Sequence, residues 1–255
     1  AASDVYKRQV IRLCDIECCF AHSLSADNSS RNTSFIKDLK DWSRIAKHIF
    51  IWDYAENWRG FMTPYPNINA LGSNIQTFMK YKVMGVFEGG QNLSYGSDFE
   101  ELKSWLIGKL LWNPYQNTEF LARQFIKDYY GSSSQEILQY YNLYNSLVKP
   151  DVHIGCRLKN ESEFYNDDFV KKAYPIMERA EKAASDSVIL ERVKKVKLQV
   201  LASEYALHPQ NFYKSGKWLE FKTLVLKYNA YIKLGVGPEK FIPEFESVVK
   251  KRNGI

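Results

Sequence analysis

Residues 9–20, QVIRLCDIECCF, form a short apolar run with single polar interruptions, and the polar loop SADNSSRNTS follows a few residues later. In FIKDLKDWSRIAKH, the residues Phe35, Ile36, Leu39, Trp42, Ile45 and Ala46 then recur at the spacing of one helix face. The same alternation follows twice more. HIFIWDY (48–54) is a second short apolar run, then comes a loop holding Pro64 and Pro66, and NALGSNIQTFMKYK places Leu71, Ile75, Phe78 and Met79 on a second helical face. VMGVFEGG (83–90) is a third run, and DFEELKSWLIGKLLWNP (98–114) reads as a helix closed by Pro114. Short apolar runs alternating with helices predict βαβ units and a parallel sheet, with strands near 10–17, 48–53 and 83–88.

After Pro114 the period changes. NTEFLARQFIKDYYG, SSQEILQYYNLYNSLVKP, DDFVKKAYPIMERAEKAA, DSVILERVKKVKLQVLASEYAL, KWLEFKTLVLKYNAYIKLG and EKFIPEFESVVKK are all helical patterns separated by Gly, Pro, Asn and Ser. The expectation is α/β followed by all-α, with an α/β part over 10–131 and a helical domain over 132–255. Within that second half, Tyr140, Tyr141, Tyr144, Leu190, Val193, Val196, Tyr205 and Leu226 recur at helical spacing and are predicted to be buried. Trp42, Trp105 and Trp112 read as helix-packing residues, and Trp52 as strand packing.

The opening AASDVYKRQ lacks Met, and SDVYKRQ resembles translated linker sequence from the ends of assembled metagenomic reads. Residues 1–9 are therefore set aside from fold reasoning, and the chain is expected to be the later part of a longer protein.

Charge and cysteine content narrow the chemistry. The formal net charge is +6, spread along amphipathic helices such as ERVKKVKLQV instead of gathered in a block, which argues against nucleic-acid binding. No apolar run approaches the roughly 18 residues of a membrane-spanning helix. Cys14, Cys18, Cys19 and Cys156 contain no CxxC pair and no matching His set. They read as buried free thiols, and neither a metal nor a cofactor is predicted; a zinc site would need ligands assembled from distant segments. The glycosylation-type triplets at Asn28, Asn32, Asn92 and Asn160 are short enough to arise by chance.

The strand ends carry the candidate chemistry, because loops leaving the carboxyl ends of parallel strands converge on one crevice. The first run delivers Asp15, Glu17 and then His22. The second delivers Asp53, Tyr54, Asn57 and Trp58, and the third Glu88 followed by Gly89, Gly90, Gln91 and Asn92. Carboxylates and amides pair with sugar hydroxyls, Trp or Tyr packs on a sugar ring, and two carboxyl groups commonly flank a glycosidic bond under hydrolysis. The predicted substrate-binding set is Asp53, Tyr54, Asn57, Trp58, Glu88, Glu17 and His22, with Tyr65 as a second stacking face and Asp53 and Glu88 as the catalytic candidates. A strand-end carboxylate that merely caps a helix or pairs with a nearby Lys or Arg is the competing structural explanation.

The ordered motifs IWDY, PYPN, NI, GVFEGG, ELKSWLIGKLLWNP and FIKDYYG resemble the core of the bacterial family called domain of unknown function 4838, over roughly residues 10–150. The resemblance implies the last three βα units of a (β/α)8 TIM-type barrel related to β-hexosaminidases and α-glucuronidases, in a periplasmic, outer-surface or secreted protein. It further implies that CDIECCFAH, WDY and FEGG close the sixth, seventh and eighth strands. The general acid of such barrels lies at the fourth strand, upstream of this chain, so this part alone would be inactive. Gly89 stands where relatives carry Gln. The function so implied is a carbohydrate-active protein, part of a glycoside hydrolase acting on polysaccharide or glycan. The alternative is a non-catalytic glycan-binding protein using the same mouth.

Overall fold

The computed structural model describes residues 9–90, 95–157, 165–233 and 235–253. Strand β1 spans Ile11–Cys14, helix α1 Ser30–Ile45, β2 Ile49–Tyr54, α2 Ile68–Lys80 and β3 Gly85–Gly89. All neighbouring strands are parallel in the order β1-β2-β3, with Leu13 beside Ile51, and Ile51 beside Val86. Such crossovers are right-handed, and both run the same way across the sheet, so α1 and α2 pack on one face. The first helix buries Phe35 and Leu39, and the second buries Leu71, Ile75 and Phe78, as their spacing predicts.

Helices continue from there: α3 Glu100–Trp112, α4 Thr118–Tyr130, α5 Ser134–Asn145, α6 Asp167–Ala183, α7 Ser187–Leu207, α8 Pro209–Lys214, α9 Lys217–Lys227 and α10 Pro238–Asn253. Gly131, with φ of +47°, ends α4 in a conformation that a side chain would strain. Beyond β3 the described residues hold no strand, only an isolated antiparallel bridge between Lys233 and Val236. No helix among them is long and apolar enough to cross a membrane.

The expected barrel segment is corrected by this architecture. The sheet is open and three-stranded among the described residues, and helix dominates the chain. A barrel exists only when strand tilt and stagger close the hydrogen-bond ladder on itself. Here β1 and β3 are edges, and the face carrying Arg12, Phe50 and Phe87 stands open, with Phe50 37% and Phe87 53% exposed. The class is α/β with a large helical part. The distinction was invisible in the sequence because βα periodicity specifies a parallel ladder, not its closure.

The main core runs from the sheet helices through α7, joining Leu39, Ile51, Phe78, Leu106, Tyr140, Tyr144, Met177 and Val193 across the 131/132 division drawn from sequence. A second cluster packs Leu201, Phe212, Trp218, Phe221 and Phe245 among α7 to α10. Tyr140, Tyr141, Tyr144, Val193 and Val196 are buried as predicted, while Leu190 and Tyr205 are half-buried. Leu226 is 53% exposed, since α9 turns Leu224 and Val225 inward instead. Trp105 packs on Phe125, but Trp112, the last residue of α3, projects past its packing partners and is 88% exposed.

Candidate functional site at the strand ends

Three carboxyl groups meet where the strands finish. Asp53 and Glu88 are paired in register on β2 and β3. Asp15 follows the last residue of β1, and its backbone N–H donates to the Trp52 carbonyl, which carries the ladder one residue further and sets Asp15 beside Asp53. Parallel strands lie about 4.8 Å apart, so the three side chains form one row across the sheet. Asp15 is 1% exposed and Asp53 3%, and both carboxyl oxygens of Glu88 are buried.

No lysine, arginine or histidine forms an ion pair with any of the three among the described residues. Asp53 accepts from the Tyr54 backbone N–H at 2.6 Å. Neither oxygen of Asp15 or of Glu88 accepts from an N–H or O–H donor among the described residues. The partner within reach of Asp15 is the Asp53 carboxyl, and two carboxyls bond only by sharing a proton. Burial pushes the Asp53 carboxyl up to about 6, opposed by its bonds to Asp15 and to the Tyr54 N–H. Burial and then the neighbouring Asp53 charge hold both Asp15 and Glu88 well above the usual carboxylate range. The row therefore holds its protons to higher pH than exposed acids do. The Cys18 thiol beside it is likewise kept protonated, first by burial and then by Asp15 and Asp53.

The predicted aromatic residues adjoin the row without facing it. Side chains alternate along a strand, so Trp52 and Tyr54 leave β2 on the face opposite Asp53. Tyr54 stacks on Trp52 at 6.2 Å between ring centroids and meets Trp58 edge-on at 5.9 Å. The half-buried Trp58 lies against Gly89: a Cβ there would meet the Asp53 carbonyl at 3.1 Å, the Tyr54 ring at 3.4 Å and the Trp58 ring at 3.5 Å. Glycine is what allows this approach, in the residue next to Glu88. The indole N–H groups of Trp52 and Trp58 are buried and without an acceptor among the described residues.

The other candidates are distributed elsewhere. Asn57 is buried in the loop after β2, its side-chain oxygen accepting from the Arg59 N–H at 3.1 Å. Glu17 is exposed on the loop after β1. His22 contacts Cys19 and the Lys149 carbonyl, in a separate cluster. Tyr65 is fully buried and offers no stacking face. Gln91 and Asn92 lie outside the described residues, as does Asn160. Asn32 is buried and clamped to the Cys19 backbone, so its glycosylation triplet is a structural coincidence.

Sequence reasoning placed Asp15 at a strand end but gave the site to Glu17 and His22. The signal for Asp15 was the repeated strand ending, LCD, IWD and VFE, in which the acid closes each apolar run. It also passed over a second buried polar group. Glu56, Asp98 and Lys103 are each 2% exposed or less; Lys103 Nζ lies 2.8 Å from Asp98 and 3.6 Å from Glu56, and donates to the carbonyls of Ala55 and Tyr65 at 3.1 Å each. Tyr144 donates to Asp98 at 2.6 Å and the Tyr65 N–H at 2.9 Å. Despite Lys103, burial raises the Glu56 carboxyl well above its ordinary range, so one cation serves two acids and a proton balances the remainder.

No curated protein and no solved structure matches the chain at a significant level. The sequence profile of a family described as domain of unknown function (DUF4838) matches residues 3–142, a span that holds all three strand ends, Trp58 and Lys103. With more than half of its 255 residues matched, the chain belongs to the DUF4838 family.

Proposed function

We propose that the chain carries part of the site of a carbohydrate-active protein, with hydrolysis of a glycosidic bond as the reaction class. The observation that carries this reading is the row of Asp15, Asp53 and Glu88, in register at the carboxyl ends of parallel strands and free of any balancing cation among the described residues. Ligands of open α/β sheets bind at those ends. Neighbouring acids in unlike environments suit acid–base work: burial and the Asp53 charge favour the protonated form of Glu88, the form of a proton donor, while Asp53, raised only to about 6, is the better candidate to accept a proton or carry charge. Trp58 and Trp52 bring indole N–H groups without acceptors to the same strand ends, where sugar hydroxyls would supply them. Since polysaccharide is met outside the cytoplasm, an exported protein follows from the same reading.

A non-catalytic glycan site is the second reading. It asks only that the half-buried Trp58 beside the strand ends meet a sugar, with no buried acid in contact with a glycosidic bond.

Calorimetric titration of the chain with oligosaccharide mixtures from plant, bacterial and animal glycans tests both. Binding that weakens by about 1–3 kcal/mol in each of Asp53→Asn and Glu88→Gln supports the proposal. Release of reducing ends would add hydrolysis to binding, while binding without release is what a chain carrying only part of the site gives. Affinities unchanged in both variants, or no binding to any glycan, would overturn it.

A further inference from the structure

A second constellation of reactive side chains lies away from the acid row, on loops that the sequence separates by more than a hundred residues. Cys19, His22 and Asp27 come from the segment between β1 and α1, and His153 from the segment after α5. One ligand atom from each lies within 4.8 Å of every other. Two of the separations are known individually. Cys19 Sγ is 3.5 Å from His22 Nδ1, and His153 Nδ1 is 3.9 Å from Asp27 Oδ2. A tetrahedral ion with bonds of about 2.0–2.3 Å needs its ligand atoms roughly 3.3–3.8 Å apart. Bringing atoms up to 4.8 Å apart into that range requires shifts of at most about 1 Å, and His153, 38% exposed, has room to move.

The surroundings orient these groups as ligands. His22 Nε2 lies 3.1 Å from the Lys149 carbonyl, which can only accept, so Nε2 carries the ring proton and Nδ1 turns its lone pair toward Cys19. A metal-binding histidine characteristically donates its other N–H to a backbone carbonyl in this way. Asp27 is held by the Ser29 N–H at 2.9 Å and the Ser29 hydroxyl at 2.6 Å. The Cys19 backbone is gripped on both sides by the buried Asn32 amide, at 2.7 and 3.2 Å. His153 is anchored through the adjacent Ile154, whose carbonyl accepts from the Phe20 N–H at 2.8 Å. His22, Asp27 and His153 line a cavity of about 810 Å³ that also holds Ser29, Asn69 and Ser73.

From this geometry we propose that Cys19, His22, Asp27 and His153 form a zinc-binding site. One thiolate, two imidazoles and one carboxylate are zinc's ordinary donor types in a tetrahedral set. On binding, the Cys19 thiol proton leaves to solvent as the Zn–S bond forms, and neutral His22 coordinates through Nδ1. The ion would fasten the loop after β1 to the segment entering α6, and His153 lies beyond the family match that ends at residue 142. The proposal does not depend on the carbohydrate reading.

The test is titration of the reduced, chelator-treated chain with Zn²⁺ alone at neutral pH, by calorimetry and by competition with a chromophoric chelator. One equivalent should bind with a Kd of about 1 μM or tighter, and saturation should raise the melting temperature. His153→Ala, an exposed position that leaves the fold intact, should lose affinity about 100-fold or more. Cys19→Ser should abolish the thiolate-to-metal charge-transfer band of the Co²⁺-substituted chain, and His48→Ala, at a half-buried position just before β2 and away from the cluster, should leave zinc binding unchanged. Binding no tighter than that of the His153→Ala chain, or a cobalt spectrum without a thiolate band, would overturn the proposal.

Discussion

Two groups of buried acids stand a few residues apart in this chain, and they are built on opposite terms. Around Lys103, the carboxyls of Glu56 and Asp98 share a cation, and Asp98 takes further hydrogen bonds from Tyr144 and the Tyr65 backbone. At the strand ends, Asp15, Asp53 and Glu88 share no cation among the described residues and have mostly each other. Compensated burial binds the fold together, here tying the β2 loop to α3 and α5. Uncompensated burial costs stability, and such cost concentrates where groups must react or bind. Position agrees with this division, since the uncompensated row sits at the carboxyl ends of the strands.

Opposite signs on mutation follow. Lys103→Met, which removes the cation from beneath two buried carboxyls, should destabilise the chain by about 3–5 kcal/mol in denaturant unfolding. Asp53→Asn should do the reverse, stabilising by about 1–3 kcal/mol at pH 8. The sign comes from linkage. The folded pKa of Asp53 is raised, to about 6, so the native state binds more protons than the unfolded chain above pH 4 and stability falls as pH rises through 6. The gain in Asp53→Asn should therefore vanish below about pH 4. Destabilisation by Asp53→Asn at pH 8 would place the row in the structural class with Lys103. Tyr144→Phe, which takes one hydrogen bond from Asp98, should cost about 1–2 kcal/mol. Trp112→Ala should change stability by no more than about 0.5 kcal/mol, because the indole lies in solvent. A larger loss there would reveal a packing role that the fold does not provide.

What could be read from sequence divides along the range of the interactions. Strand positions and order were legible in the apolar runs, as were the helices whose faces bury Phe35, Leu71 and Tyr140, because periodicity is a local signal. The register of Asp53 with Glu88 was also within reach, since both close their strands. Sheet closure was not, because it depends on how edges meet. Nor was the facing of Tyr54 away from Asp53 allowed for, although strand alternation requires it. The Lys103 pair with Asp98 is only five residues long in sequence, yet it was hidden because a lysine on a helix reads as solvated until the burial of its face is known. Leu226 was misjudged for the converse reason: an apolar residue at helical spacing is buried only if its helix turns that way. The gathering of His153 with Cys19 and His22 had no local signal at all.

The difference between the two acid groups is tested most directly by following the side-chain carboxyl ¹³C resonances of Asp53, Asp15 and Glu88 by NMR as pH is raised from 3 to 9. Asp53 should titrate near pH 6, and Asp15 and Glu88 well above the ordinary carboxylate range, with their transitions shifted down in Asp53→Asn. Three independent transitions near pH 4 in the folded protein would contradict the account, because the row would then be ionised and solvated like any surface acids.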